Sequence, residues 1–309
     1  MKILVTGGAG FIGSHIVDKL IAENNEVVVI DNLSTGKKEN LNNKAKFYQA
    51  DIKNFEDVEK VFEQEKPEYI CHQAAHASVS ESVKDPIYDA ENNILGSINI
   101  IKLAIKYNIK KIVFASTGGA MYGDAEIIPT PEKSETKPVS PYAVTKLAVE
   151  KYLYCFNFLN KLNYTILRYA NVYGPKQDPF GEAGVVAIFS QKIVNNEQPI
   201  INGDGKYTRD YVYVTDIANA NLLALKSEKS QNIYNVGTGI ETDVNTIFQN
   251  LSKISGKNIP EKHGEARKGD HRKGAIDSTK IKQELNWQPT VKLEDGLKET
   301  YKWFSNLKS

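Results

Sequence analysis

The chain has 309 residues, 41% hydrophobic and 25% charged, which suits a globular protein with one large domain and a smaller one attached. Its formal net charge of +1 excludes an overall field that would draw nucleic acid or an anionic membrane. Cys71 and Cys155 have no CxxC partner and no metal-ligand spacing, so reduced thiols in the cytoplasm are expected, and no metal. No run of about 18 apolar residues exists, so no membrane span is expected. The apolar opening at 1–5 is too short for a signal peptide.

Residues 2–6 (KILVT) read as a buried strand, and 13–24 as a helix with Ile16, Val17, Leu20 and Ile21 along one side. Further strands are expected at 26–30, 46–49, 69–73, 111–116 and 164–168. Helices are expected at 54–65, 89–107 and 142–161. Alternation of this kind implies a parallel sheet covered on both faces. After about residue 172 the rhythm becomes irregular, with Gly174, Pro175, Pro179, Gly181 and Gly184 crowding one loop. A helix at 185–196, a turn at Gly203-Asp204-Gly205, a helix at 216–226 and a strand at 233–236 follow. The expected fold is α/β: a Rossmann-type doubly wound parallel sheet over 1–172. A smaller C-terminal substrate-binding α/β domain, 173–309, is partly interleaved with it.

Gly7-Gly8-Ala9-Gly10-Phe11-Ile12-Gly13 fits G-x-x-G-x-x-G between a strand and a helix. Gly7 permits a tight turn, Gly10 lets backbone approach a pyrophosphate, and Gly13 allows close helix–strand packing. The helix start then presents free N–H groups to the phosphates. The next strand ends near Asp31, 18 residues after Gly13. A carboxylate there accepts from ribose hydroxyls and repels a 2′-phosphate, which favours NAD over NADP.

Tyr142 and Lys146 stand four residues apart at the start of a helix and so share one face. A nearby ammonium stabilises a phenolate and makes Tyr142 a usable base. The strand ending at Ser116-Thr117 adds a hydroxyl at a carboxyl end, where open α/β sheets place their sites. Together these three predict proton and hydride transfer at a hydroxyl-bearing carbon, with Thr117, Tyr142 and Lys146 as the catalytic set. His72 reads as a packing residue, and His15, His263 and His271 lack metal-site spacing.

Eight segments, VTGGAGFIGSH, HQAAHASVSESVKDP, FASTGGAMYG, SPYAVTK, LRYANVYGP, GDGKYTRDYVYV, YNVGTG and RKGDHRKGAID, cover nearly the whole chain. They resemble those of the extended short-chain dehydrogenase/reductase family, specifically its nucleotide-sugar 4-epimerases acting on UDP-glucose and UDP-N-acetylglucosamine. The resemblance implies tightly bound NAD and C4 epimerisation of UDP-hexoses through a transient 4-keto sugar. It implies that Gly7, Gly10, Phe11, Ile12, Gly13, Asp31 and Asn32 hold the cofactor, with Asp51 and Ile52 beside the adenine. Ala74, Ala75 and His76 should line the pyrophosphate and nicotinamide ribose, with Asn93, Tyr169, Tyr142 and Lys146 also at the cofactor. Asn171, Arg209 and Arg267 should hold the sugar diphosphate, Asp270 the uridine ribose, and Thr117 and Tyr142 the sugar. A homodimer through helices 89–107 and 142–161 is implied as well.

Two positions refine the expectation. The loop after Thr117 carries one glycine more than the family pattern; counted back from Gly123, the catalytic position falls on Gly118, which has no hydroxyl. Counted from the strand it is Thr117, with Ser116 as the fallback. Gly118-Gly119 also stand where dehydratases of the family carry an acid, so elimination lacks its local acid and base. The family's size gate falls on Gly274, which implies room for an N-acetyl group and turnover of UDP-GlcNAc and UDP-GalNAc besides UDP-Glc and UDP-Gal. The alternatives at this point are a UDP-glucuronate 4-epimerase, a UDP-GlcNAc dehydratase, a net oxidoreductase, or a non-catalytic NAD-binding sensor or scaffold.

Overall fold

Seven parallel strands form the main sheet of the computed structural model, which describes residues 1–180, 184–266 and 272–308. In chain order the strands are β1 (Lys2–Thr6), β2 (Glu26–Asp31), β3 (Lys46–Gln49), β4 (Tyr69–His72), β5 (Lys111–Thr117) and β6 (Tyr164–Tyr169). Then come β7 (Asn171–Tyr173), β8 (Ile201–Asn202), β9 (Thr208–Tyr213), β10 (Asn232–Val236), β11 (Glu241–Asp243) and β12 (His263–Gly264). The main sheet runs β10-β6-β5-β4-β1-β2-β3, so the winding reverses between β1 and β4. A crevice opens at the carboxyl ends of the strands beside such a reversal.

Both faces of the sheet are buried, which explains strands without polar alternation. Ile3 and Val5 pack on one face with Ile16, Leu20 and Leu222. Leu4 packs on the other with Val28, Phe62 and Ile70. The helix Val214–Lys226 lies against Phe11–Ala22, and β10 pairs with β6 in parallel register. The chain therefore returns to the first sheet after leaving it. A separate core of Tyr173, Phe189, Phe248, Leu251 and Leu297 supports the remaining C-terminal segments.

Several stretches differ from the sequence expectation. The helix expected at 89–107 starts at Pro86–Ala90, passes through a π-helical turn at Glu91–Leu95, and continues as Gly96–Lys106. Single π turns of this kind are frequent at functional sites. Strand β9 and the helices Val244–Ser255 and Leu293–Lys308 have no counterpart among the expected elements. Among the described residues strand β9 pairs only with the short β7 and β11, and such distant partners leave no local periodicity to read.

Candidate active site

The glycine loop turns directly off β1. Gly7 has φ +70°, and its N–H donates to Ile30 O at 2.8 Å. A Cβ there would stand 2.7 Å from Ala74 N, and one on Gly13 would collide with Gly7 O. The helix Phe11–Ala22 starts from Gly10 with no side-chain cap. Its first N–H groups thus face the crevice without a protein acceptor from a capping side chain, an arrangement that suits a diphosphate. Phe11 and Ile12 are half-buried at that turn. The buried Asp31 accepts from Ala9 N at 3.0 Å and Leu33 N at 2.8 Å. It therefore fixes the glycine loop, and each carboxylate oxygen keeps a lone pair for a ribose hydroxyl. Beyond it, Asn32 Nδ2 donates to Asp51 Oδ2 at 3.1 Å. Ile52 packs so tightly on Gly96 that a Cβ there would lie 2.6 Å from Ile52 Cδ1. These groups fit the shape and charge of NAD.

The segment after β4 closes the other side. Ala74 N donates to Thr6 Oγ1 at 3.2 Å, and half-buried Ala75 follows. His76 N donates to Asn93 Oδ1 at 2.7 Å, and its Nδ1 lies 3.3 Å from Asp89 Oδ1. The Asn93 amide donates to His76 O, Asp89 Oδ1 and Thr145 Oγ1, at 3.0, 3.0 and 3.1 Å. Asn93 is thus a buried brace of this loop, and its polar atoms are committed to protein. His72 contacts Thr6 Oγ1 and Ser97 Oγ, and burial pushes its ring down to about 3, so it packs as a neutral residue.

Thr117 is the last residue of β5, and its Oγ1 accepts from Ala120 N at 3.3 Å. Its neighbour points to the opposite face, as strand pleating requires. Ser116 Oγ donates to Glu150 Oε1 at 2.6 Å, inside a buried network. There Arg168 donates to Glu150 through Nε (2.9 Å) and Nη2 (2.6 Å), and through Nη1 to Tyr122 OH (2.9 Å).

Tyr142 opens the helix Pro141–Asn160, whose start is set by Ser140 accepting from Ala143 N and by Pro141 in the first turn. Lys146 Nζ lies 5.9 Å from the Tyr142 ring centroid and 4.9 Å from that of Phe114. It donates to Ala115 O at 2.8 Å. Burial lowers the Lys146 ammonium to about 8, against the pull of Asp89 and Glu150. Tyr169 follows on β6; its buried hydroxyl is committed to Gln73 and Asn221, and burial pushes it well above the usual phenol range.

Next to this constellation lies a narrow cleft, whose lining includes Gly118, Gly119, Asn171, Arg209 and Gly274. Four distant segments thus meet there. A Cβ on Gly119 would stand 3.0 Å from Asn171 Oδ1. Arg209 Nη1 donates to Thr208 O at 2.8 Å. The adjacent Asp210 accepts from Thr238 N, Thr238 Oγ1 and Gly239 N, which fixes the strand beneath the arginine. Arg267 and Asp270 lie outside the described residues.

Sequence reasoning missed the Ser116–Glu150–Arg168 network and Asp89. Glu150 had a signal: it extends the Tyr142/Lys146 stripe by four residues, onto a buried face. Asp89 had none, because its partners come from three separate elements.

The pattern of the NAD dependent epimerase/dehydratase family matches residues 3–237. The chain belongs to this family. Solved relatives extend the likeness beyond that span. The crystal structure of a UDP-glucose 4-epimerase with UDP-glucose from Thermotoga maritima is 50% identical, covers 100% of both chains and has a TM-score of 0.98. A UDP-glucose 4-epimerase from Thermus thermophilus in complex with NAD is 42% identical over 98% of this chain and 99% of its own, with a TM-score of 0.94. A UDP-N-acetylglucosamine 4-epimerase from Methanobrevibacter ruminantium, in complex with UDP-N-acetylmuramic acid, is 39% identical over 99% of this chain and 98% of its own, with a TM-score of 0.94. The seven-stranded sheet is the Rossmann-type core expected of a family that works with NAD.

Proposed function

We propose that the protein is an isomerase that interconverts UDP-hexoses epimeric at C4, with NAD retained through each cycle. The pairs are UDP-Glc with UDP-Gal, as in galactose metabolism, and UDP-GlcNAc with UDP-GalNAc. One observation carries this reading. The helix of Tyr142 and Lys146 is bonded to β5 two residues before Thr117, while a cleft with Asn171, Arg209 and Gly274 adjoins the same loop. In this reading residues 1–172 hold the cofactor and 173–309 grip the nucleotide sugar, with 214–236 lent back to the first sheet.

Bound NAD supplies a hydride acceptor and donor at sugar C4. Tyr142 takes the 4-hydroxyl proton and later returns it to the same oxygen. A phenol of ordinary pKa about 10 is a poor base near pH 7; the Lys146 ammonium beside its ring stabilises the phenolate. The Thr117 hydroxyl, both donor and acceptor, orients the 4-oxygen. Ser116 is the weaker candidate, because its hydroxyl is already spent on Glu150. Asn171, Arg209, Arg267 and Asp270 anchor the UDP, so the sugar alone turns over between the two hydride transfers. Glycines 118, 119 and 274 line the cleft without side chains that would crowd the sugar. No acid stands at 117–120, which argues against a dehydratase.

Exposed Leu95, Val144, Tyr152, Phe158 and Leu159 on the helical surface around Gly96–Lys106 and Pro141–Asn160 support a homodimer formed there. An exposed free Cys155 suits the cytoplasm. A second reading, a UDP-glucuronate 4-epimerase, draws on Lys273, an exposed cation at the cleft beside Gly274. Incubation with UDP-Glc, UDP-GlcNAc and UDP-glucuronate without added NAD, with products read by NMR, tests both readings. Conversion of the first two supports epimerisation with retained cofactor. Conversion of the uronate alone moves the assignment to the second reading, and no conversion of any sugar refutes both.

A further inference from the structure

Asp89 is fully buried, and a buried carboxylate is costly unless its oxygens are met by donors. Its donors come from three places. Thr145 Oγ1 donates at 2.8 Å from the helix that carries Tyr142 and Lys146. Asn93 Nδ2 donates at 3.0 Å from the π-helical turn. His76 Nδ1 stands 3.3 Å away, on the loop expected to face the cofactor. Asp89 is thus the point where cofactor loop, π turn and catalytic helix are pinned together.

The charges around Lys146 give this carboxylate a second part. On its own helix Lys146 faces Glu150 and Tyr142. The Glu150 charge is already matched by Arg168 of β6, which in turn contacts Tyr122. Strand β4 contributes His72, which burial keeps neutral, and β5 contributes Ala115 O and the Phe114 ring. His76, partly exposed, meets Asp89 at 3.3 Å. Asp89 is bonded to Thr145, the residue next to Lys146, and is the remaining anion that holds the ammonium up against burial.

We infer that Asp89 is a positioning residue for the epimerisation proposed above: it locks the His76 loop to the Tyr142 helix and serves as the buried counter-charge of Lys146. The inference rests on that functional reading. Burial has already brought the Lys146 ammonium down to about 8, and Asp89 acts in the opposite direction. Removing its charge lowers the lysine further. The reaction needs the cation, so activity persists below the lysine's pKa and fades above it.

The test compares Asp89→Asn and Thr145→Val with the wild type across pH 6–9.5, with UDP-Glc as substrate. In Asp89→Asn the alkaline limb of kcat is expected to move down by about one pH unit, a tenfold change in the ammonium fraction at a given pH. KM stays within about twofold, since a small misplacement of the reacting groups slows the chemical step and leaves the UDP grip intact. NAD released by acid after gel filtration, counted per subunit, is expected to fall below the wild-type value, which reads the loosened His76 loop without an activity assay. Thr145→Val keeps the charge and removes the anchor, so kcat should fall severalfold with its alkaline limb in place. An unmoved limb in a folded Asp89→Asn overturns the inference. If that variant does not fold, wild-type kcat in Thr145→Val overturns it instead. Absence of turnover in the wild type refutes the functional reading, and the inference with it; turnover with an unmoved limb refutes the inference alone.

Discussion

The two ends of β5 each bury a lysine against backbone carbonyls, and they use it differently. At the start of the strand, Lys111 Nζ donates to three carbonyls, Ala224 O (3.2 Å), Ser227 O and Lys229 O (2.7 Å). Toward the other end, Lys146 Nζ makes one such bond among the described residues, to Ala115 O. Burial lowers both ammonium groups. The first cation has its three donors answered by the end of the helix Val214–Lys226 and the turn after it. The second keeps hydrogen-bonding capacity for whatever enters the crevice. An amine with all its donors met holds a fold together; one left incompletely met is available for chemistry.

The largest effect that would break this contrast is on rate. Lys146→Met is expected to lower kcat by about 10²–10⁴, with Tyr142→Phe in the same range. Neither variant should lose UDP binding, measured by calorimetry. Lys146→Met should melt lower than the wild type, because it leaves the buried Asp89 without its counter-charge and Ala115 O without its donor, so rates are compared on the folded variant. Near-wild-type turnover in either variant would refute the assignment of the pair.

A selective effect comes next. Gly274→Tyr is expected to reduce turnover of UDP-GlcNAc about 10–100-fold relative to UDP-Glc, the size of an overpacking penalty of about 1–3 kcal/mol. Parallel kcat/KM measurements on the two sugars read it. Equal losses on both would mean that Gly274 shapes a turn and gates nothing.

The amino end of the sheet offers a pH test away from the crevice. Glu65 is buried there between Lys2, Lys46 and Tyr48. Burial works against its charge, but hydrogen bonds from these three outweigh it and hold the carboxyl at about 2. Its folded pKa lies below the unfolded value, so its stabilisation is complete above about pH 4.5 and lost as pH falls toward 2. The full linkage is on the order of 3 kcal/mol. Melting curves between pH 3 and 7 should show Glu65→Gln losing less stability on acidification than the wild type; parallel curves would refute the role.

What could be read in the sequence followed from local sterics. Gly7 needs positive φ and Gly13 has no room for a Cβ, so the loop is written in glycines. Tyr142 and Lys146 share a face because a helix repeats every 3.6 residues. Thr117 and Ser116 were harder to separate, because the pleat and Glu150 decide which hydroxyl is engaged. The cleft gathers 118–119, 171, 209 and 274, and no periodicity in the chain links them; resemblance alone pointed to Asn171, Arg209 and Gly274. Asp89 stayed hidden for the same reason, since its three partners meet only after folding.

The smallest expected effect is the one that most sharpens the contrast within β5. Lys111→Met keeps the length and apolar stem of the side chain and removes its three donors. The carbonyls at the end of the helix Val214–Lys226 then lose a cation placed where the helix dipole favours one. Buried acceptors left without a partner cost about 1–3 kcal/mol, and those that reach water cost less. The variant should therefore melt lower than the wild type, by denaturant or heat, while kcat and KM of the folded protein stay unchanged. The helix it caps packs on the helix of the glycine loop, so a loss of bound NAD in a folded Lys111→Met would show that this lysine reaches the crevice through that contact. In that case the division between a structural and a functional end of β5 would have to be given up.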